Sequence, residues 1–275
     1  MAAGPTLGPT VIGCQRRGGL IKAVILAGGM GSRLAEETST RPKPMVQIGM
    51  KPIIWHIMKL LGTQGIDEFV ICCGYKGYMI KEYFANYFLH TSDFTVDLKN
   101  NSLQLLDGEA EPWQVTLVDT GEHTPTGGRL RRIRHLVDDG AFLLTYGDGL
   151  ADIDLPALQA FHGAHPGTAT VTAVQPAGRF GVLRTHGDRV DRFTEKPSGD
   201  GGWVSGGFFI LEPECLNEIS GDDITWEREP LERLAAAGAL HTYRHRGFWQ
   251  PMDTLRDKHV LEQMWATGDA PWRTW

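Results

Sequence analysis

Two fixed positive charges, Arg33 and Lys43, stand beside the glycine-rich run Leu26-Ala27-Gly28-Gly29-Met30-Gly31-Ser32-Arg33-Leu34, a combination suited to holding a polyphosphate. The glycines put backbone N–H groups where no side chain blocks them, so the turn can wrap closely around phosphate oxygens. An apolar stretch over 23–27 precedes the turn and reads as a short buried strand. Lys43 lies in Arg41-Pro42-Lys43-Pro44-Met45. Each proline fixes its own φ and restricts its predecessor, so the lysine is expected on a stiff, extended segment. Strand, glycine turn, arginine and braced lysine together look like a site for a nucleoside triphosphate. A Walker P-loop is excluded, because no Gly-Lys-Ser/Thr follows at the required spacing. The dinucleotide fingerprint also fits poorly, since its third glycine and strand-end acid are missing.

Carboxylates supply the complementary chemistry. Tyr146-Gly147-Asp148-Gly149 ends a second apolar strand, and ligands of open α/β sheets bind outside the carboxyl ends of strands. Asp148 can hold Mg²⁺, a hard ion that takes oxygen ligands and bridges phosphates, although Asp-Gly is equally a favoured turn pair. Asp253, in Trp249-Gln250-Pro251-Met252-Asp253, lies just before a helix and suits either a second metal ligand or an N-cap. Glu195-Lys196-Pro197 follows a short strand, where a Glu-Lys pair is usually a solvated salt pair. His162 and His165 lie one helical turn apart without the Glu or third ligand of a zinc site. No Ser-His-Asp order with a nucleophile motif is visible.

The pattern G-G-x-G-x-R-L followed by P-K-P resembles the signature of sugar-1-phosphate nucleotidyltransferases. Within that group, five further segments are similar to the glucose-1-phosphate cytidylyltransferase family. They are Arg33-Leu34-Ala35-Glu36-Glu37-Thr38, Gly74-Tyr75-Lys76-Gly77-Tyr78, Asp119-Thr120-Gly121-Glu122, Thr126-Gly127-Gly128-Arg129-Leu130 and Gly247-Phe248-Trp249-Gln250-Pro251-Met252-Asp253. The similarity runs from Ile21 to Trp275. It implies a cytoplasmic, Mg²⁺-dependent enzyme that transfers a cytidylyl group from CTP to α-D-glucose 1-phosphate. The products would be CDP-glucose and pyrophosphate, in dideoxy-sugar or O antigen pathways. The resemblance also implies metal binding by Asp148 and Asp253 and catalysis by Arg33 and Lys43. Substrate contacts are implied for Leu26, Ala27, Gly28, Gly29, Met30, Gly31, Ser32, Arg33, Lys43, Thr124, Arg129 and Gly147, with Glu195 and Lys196 on the sugar phosphate.

Arg129 is the candidate for reading the base, with Thr124 as a hydroxyl partner. A guanidinium can donate to both N3 and O2 of cytosine and would oppose the uracil edge. A phosphate contact is the other reading of Arg129, while Arg131, Arg132 and Arg134 read as a solvated helix face. Ser205 stands where the family commonly has Asn before two glycines, and serine lacks the amide's paired donor and acceptor. A UTP- or dTTP-dependent sibling activity and a non-catalytic nucleotide-sugar-binding regulator stay open as alternatives. A degenerate regulator should have lost one of Arg33, Lys43, Asp148 or Asp253, and all are present.

The elements that must position these residues alternate along the chain. Strands are expected over 23–27, 69–73, 115–118, 142–146 and 169–174, and helices over 52–61, 128–137 and 155–162. Ile80, Tyr83, Phe84, Tyr87 and Phe88 repeat at helical spacing and give one aromatic face expected in the core. This order predicts an α/β fold: a Rossmann-like, mostly parallel mixed sheet with helices on both faces. After residue 175 short strands over 181–184, 190–193 and 208–211 suggest a small β-rich sugar-binding subregion. A helix over 229–237, a strand over 241–245 and a helix over 255–265 follow. One domain is expected over 21–275, with a nucleotide-binding part over 21–150 and a sugar-phosphate part over 151–275.

With 275 residues, 41% hydrophobic and 22% charged, the chain is globular in composition and long enough for a full core. A net charge of −6 argues against a general nucleic-acid binder. No apolar run approaches the length of about 20 residues that crosses a bilayer. Adjacent Cys72-Cys73 in an apolar strand reads as buried, reduced thiols and hence a reducing compartment. Residues 1–20 are rich in Gly, Pro and Thr and read as a disordered leader or an early start. Their Val11-Ile12-Gly13-Cys14 and Arg16-Arg17 mimic export signals without the required order of charged and apolar stretches. A homo-oligomer is expected.

Overall fold

The computed structural model describes residues 22–108, 110–176, 182–194 and 202–275. The expected leader at 1–20 and the Glu195-Lys196 pair lie outside the described residues. Short apolar runs become one seven-stranded sheet: β1 (Ala23–Ala27), β2 (Glu68–Cys73), β3 (Gln114–Asp119), β4 (Phe142–Tyr146), β5 (Ala169–Val174), β6 (Val204–Leu211) and β7 (Leu240–Arg244). Their spatial order is β7-β5-β6-β4-β1-β2-β3. All neighbours are parallel except β6, which runs antiparallel to both β5 and β4.

The α-helices of five residues or more are, among the described residues, α1 (Ile53–Gly62), α2 (Gly77–Ala85), α3 (Tyr87–Thr91), α4 (Thr126–Arg132), α5 (Leu155–Ala164), α6 (Glu229–Ala236) and α7 (Leu255–Thr267). Successive strand residues point to opposite faces, and both faces are covered. Ala23, Ile25 and Ala27 pack with Ile53, Ile57, Leu61 and Trp272. Val24 and Leu26 pack with Leu130, Leu216 and Trp226 on the other side. Burial on both faces is why β1 reads as an unbroken apolar run. Among the described residues no helix is long and apolar enough to cross a membrane.

Register sets the position of the site. Ala27 pairs with Cys73, Cys73 with Asp119, and Leu26 with Tyr146, so four parallel strands end along one rim. A small antiparallel ribbon, Gly149–Ala151 with Trp249–Pro251, continues beyond that rim.

Two expectations need correction, and one element is new. The helix predicted over 128–137 starts at Thr126, stops at Arg132 and gives way to a 3₁₀ turn at Arg134–Leu136. The aromatic face is split between α2 and α3, because Asn86 (φ −108°, ψ 21°) leaves helical geometry. Of that face only Ile80 is fully buried; Tyr83, Phe84, Tyr87 and Phe88 are half-buried. The hairpin Ser92–Asp97 with Ser102–Gly108 is not anticipated from the sequence, and it exposes Phe94, Val96, Leu103 and Leu105.

Candidate active site

A cavity of about 370 Å³ opens at the carboxyl ends of β1 and β4. It is lined by Leu26, Ala27, Gly28, Gly29, Gly31, Ser32, Arg33, Lys43, Thr124, Arg129, Gly147 and Asp148, all singled out by the sequence. Met30 is 54% exposed and is not part of the lining. Gly31 has φ +63°, and a Cβ there would meet Thr38 Cγ2 at 2.8 Å, so only glycine suits the position. It leads into a 3₁₀ turn, Ser32–Leu34, that buries Leu34 and leaves the Arg33 side chain 74% exposed. Thr38 Oγ1 donates to the Gly31 carbonyl and Tyr75 N–H to the Gly28 carbonyl, bracing the loop from two sides.

The lysine is held differently from expectation. Pro42 is extended, but Lys43–Met45 coil into a 3₁₀ turn, with Val46 N–H donating to the Lys43 carbonyl. That turn buries Lys43 and aims its ammonium at two carboxylates. Lys43 Nζ lies 2.7 Å from Asp148 Oδ2 and 2.7 Å from Asp253 Oδ1. Burial works against the charge, but the two carboxylates prevail and hold the lysine pKa above its ordinary value. Arg33 Nη1 pairs with the other oxygen of Asp253 at 2.9 Å.

The ribbon explains how residues so far apart meet. Pro251 pairs with Gly149, and Met252 N–H donates to the Asp148 carbonyl at 2.8 Å, which sets Asp253 beside Asp148. Asp253 is not the N-cap of α7. Thr254 takes that role in a capping box with Asp257, leaving the Asp253 carboxylate to Lys43 and Arg33. Two oxygens converging on one cation form a donor set that fits a hard divalent ion. Among the described residues no cluster of three or more His, Cys, Asp or Glu forms a metal site. A pair of carboxylates is what Mg²⁺ needs when water and phosphate complete its shell.

Arg129 lines the cavity but does not present a free edge to it. It is 4% exposed. Its Nη1 donates to Cys73 O, Thr120 Oγ1 and Gly121 O, and its Nη2 to Gly28 O and Glu122 O. A Cβ on Gly28 would sit 2.1 Å from Nη1, so that glycine makes room for the guanidinium. In place of a free edge for a base, its terminal donors tie the glycine turn to the ends of β2 and β3. Arg131 and Arg132 pair with Asp222 and Arg134 with Asn217, so these three face the segment after β6 rather than solvent alone.

Other charged and polar groups have partners within the chain. Lys51, eight residues after Lys43, lies over the rings of Trp55 and Tyr87. His162 and His165 both meet the Thr170 hydroxyl, and His165 stacks on His241. Cys72 and Cys73 are buried and free, and burial pushes their thiols up to about 12 and about 11. The sequence reading missed Tyr146 and Thr126, which also line the cavity. The place of Tyr146 at the strand end before Gly147-Asp148 was the available signal.

A family model described as Nucleotidyl transferase matches residues 22–246. The chain belongs to the nucleotidyl transferase family. Glucose-1-phosphate cytidylyltransferase of Salmonella typhimurium is 58% identical over 256 residues, covering 93% of this chain and 100% of that protein. A probable glucose-1-phosphate cytidylyltransferase of Bacillus subtilis is 42% identical over the same shares. Among solved structures, UDP-glucose pyrophosphorylase complexed with UDP-glucose matches with a TM-score of 0.65 at 17% identity, over 90% of this chain and 99% of that one. That likeness shows the shared nucleotidyl transferase fold.

Proposed function

We propose that this chain transfers the cytidylyl group of CTP to α-D-glucose 1-phosphate, forming CDP-glucose and releasing pyrophosphate. The observation that carries the reading is 58% identity across the whole length of the Salmonella enzyme. A cavity lined by Arg33, Lys43 and Asp148, with Asp253 paired to both cations, supports it.

In the proposed step a phosphate oxygen of the sugar attacks the α-phosphorus of CTP in line. The new O–P bond forms as the bond to the β-phosphate breaks, and the electron pair leaves on pyrophosphate. Such transfers need positioning and charge stabilisation more than covalent help. Asp148 and Asp253 would hold Mg²⁺, which when bound would neutralise the triphosphate. The N–H groups from Gly28 to Ser32 cradle phosphate oxygens, and the exposed Arg33 holds the departing β- and γ-phosphates. Lys43 stands between the two reacting phosphates and damps their repulsion. Thr124 and Gly147 shape the nucleotide side. Glu195 and Lys196 are proposed for the sugar phosphate on their place in the sequence alone.

The division into a nucleotide part over 21–150 and a sugar-phosphate part over 151–275 belongs to the same reading, with Asp253 reaching back across it. Free, buried Cys72, Cys73 and Cys215 support a reducing, cytoplasmic setting. The exposed apolar face of the Ser92–Asp97 hairpin supports self-association into a homo-oligomer. The test is to incubate the protein with CTP, glucose 1-phosphate and Mg²⁺ and to detect CDP-glucose by mass spectrometry. No product of that mass would overturn the reading.

A further inference from the structure

Glu227 lies outside the cavity wall, yet it grips two residues that form the wall. Its Oε1 accepts a hydrogen bond from the Tyr146 hydroxyl, and its Oε2 accepts one from Thr126 Oγ1 at 2.5 Å. Tyr146 ends β4, two residues before Asp148, and its ring packs against Gly207 of β6. Thr126 opens α4, three residues before Arg129. One carboxylate thus links the strand end that carries a metal ligand to the helix start that carries the nucleotide side.

The segment bearing Glu227 is rigidly seated. Trp226 is fully buried in the core beneath α4, and its N–H donates to Thr126 Oγ1 at 2.9 Å. Gly128 N–H donates to the Ile224 carbonyl, and a Cβ on Gly128 would lie 2.0 Å from the Asp222 carbonyl oxygen. The glycine pair of Thr126-Gly127-Gly128-Arg129 is therefore explained by this close approach of backbone to backbone.

We propose that Glu227 is a positioning residue for nucleotidyl transfer, acting through Tyr146 and Thr126 to hold the metal side and the nucleotide side of the cavity in register. The inference rests on the cytidylyl-transfer reading above. A site held slightly out of productive geometry loses rate even when every reacting group is present.

The test is steady-state kinetics on Glu227→Ala, Glu227→Gln and Tyr146→Phe, alone and combined, with wild type alongside and melting temperatures recorded. Glu227→Ala is expected to lower kcat/KM for CTP about 10-fold while KM for glucose 1-phosphate stays within about 2-fold. Glu227→Gln should recover most of the loss, since its amide still accepts from one hydroxyl and donates to the other oxygen. Adding Tyr146→Phe to Glu227→Ala should cost little more, as expected of two groups acting as a unit. Activity of Glu227→Ala within about 2-fold of wild type would overturn the inference. So would full additivity of the pair, or a glutamine variant as impaired as alanine. If wild type itself makes no product from CTP, the reading above has failed, and the ratios are then judged with whichever nucleotide wild type uses.

Discussion

The Lys43 ammonium lies 2.7 Å from a carboxylate oxygen of Asp253, although the two residues are 210 positions apart in the chain. Asp148 completes the arrangement at the same distance. A buried lysine between two acids holds their charge in place, and in the proposed step the same ammonium lies beside the reacting phosphates. Lys43→Met removes a fixed charge stabiliser and should lower kcat by roughly 10²- to 10³-fold, equivalent to about 3–4 kcal/mol in the transition state. Stopped assays on a variant shown to be folded by circular dichroism provide the check, and activity within a few-fold of wild type would contradict the role.

The aspartates should behave as metal ligands. Asp148→Asn and Asp253→Asn are each expected to leave the fold near normal and to reduce kcat by orders of magnitude. Titration with Mn²⁺ followed by electron paramagnetic resonance should show weakened ion binding in both. EDTA should abolish turnover and Mg²⁺ restore it. Unaltered Mn²⁺ affinity in either variant would reduce that aspartate to a structural residue.

Arg129→Ala separates a base reader from a backbone tie. The five acceptors around the guanidinium belong to the chain itself, so the variant should impair CTP, UTP and dTTP alike. The ratio of their kcat/KM values should stay within about 2-fold, while stability falls, since each buried acceptor left unpaired costs about 1–3 kcal/mol. A collapse of the ratio by about 5- to 150-fold, the scale of about 1–3 kcal/mol for a bidentate base contact, would return the base to Arg129.

His56 gives a pH signature of folding. Burial lowers its pKa to about 4 from the ordinary 6.5. Its Nε2 lies 2.9 Å from the Ile48 carbonyl, and Trp272 Nε1–H points at its Nδ1 at 3.4 Å, so the neutral ring with the proton on Nε2 fits both partners. Because the folded value lies below the unfolded one, the unfolded chain binds more protons between pH 4 and 6.5. The contribution is full above pH 6.5 and shrinks as pH falls toward 4, by about 3 kcal/mol in all. Urea unfolding across that window should show this slope in wild type and a flatter one in His56→Gln.

How much was legible in the sequence follows from where each signal lives. β1 and β4 were readable to the residue, because strands buried on both faces leave unbroken apolar runs ended by Gly28 and Gly147. The acids were readable as types, but their meeting depends on the ribbon pairing Pro251 with Gly149, too short to leave a pattern. The Ser92–Asp97 hairpin carries a readable alternation, Phe94 and Val96 paired with Leu105 and Leu103, but that apolar face is exposed rather than buried, so burial does not mark it as part of the sheet. Arg129 has a physical reason for its two readings: a guanidinium beside a phosphate loop suits a ligand and a cluster of carbonyls equally well. Only the position of those carbonyls decides between them. Glu227 had no local signal, since its partners Tyr146 and Thr126 are brought to it by the fold.

The central claim is tested most directly by measuring pyrophosphate release from glucose 1-phosphate and Mg²⁺ with each of the four common nucleoside triphosphates in turn. The account predicts rapid release with CTP, at a kcat/KM at least about 10-fold above that for UTP, dTTP or GTP, and CDP-glucose as the accompanying product. Release that is fastest with UTP, dTTP or GTP, or absent with all of them, would contradict it.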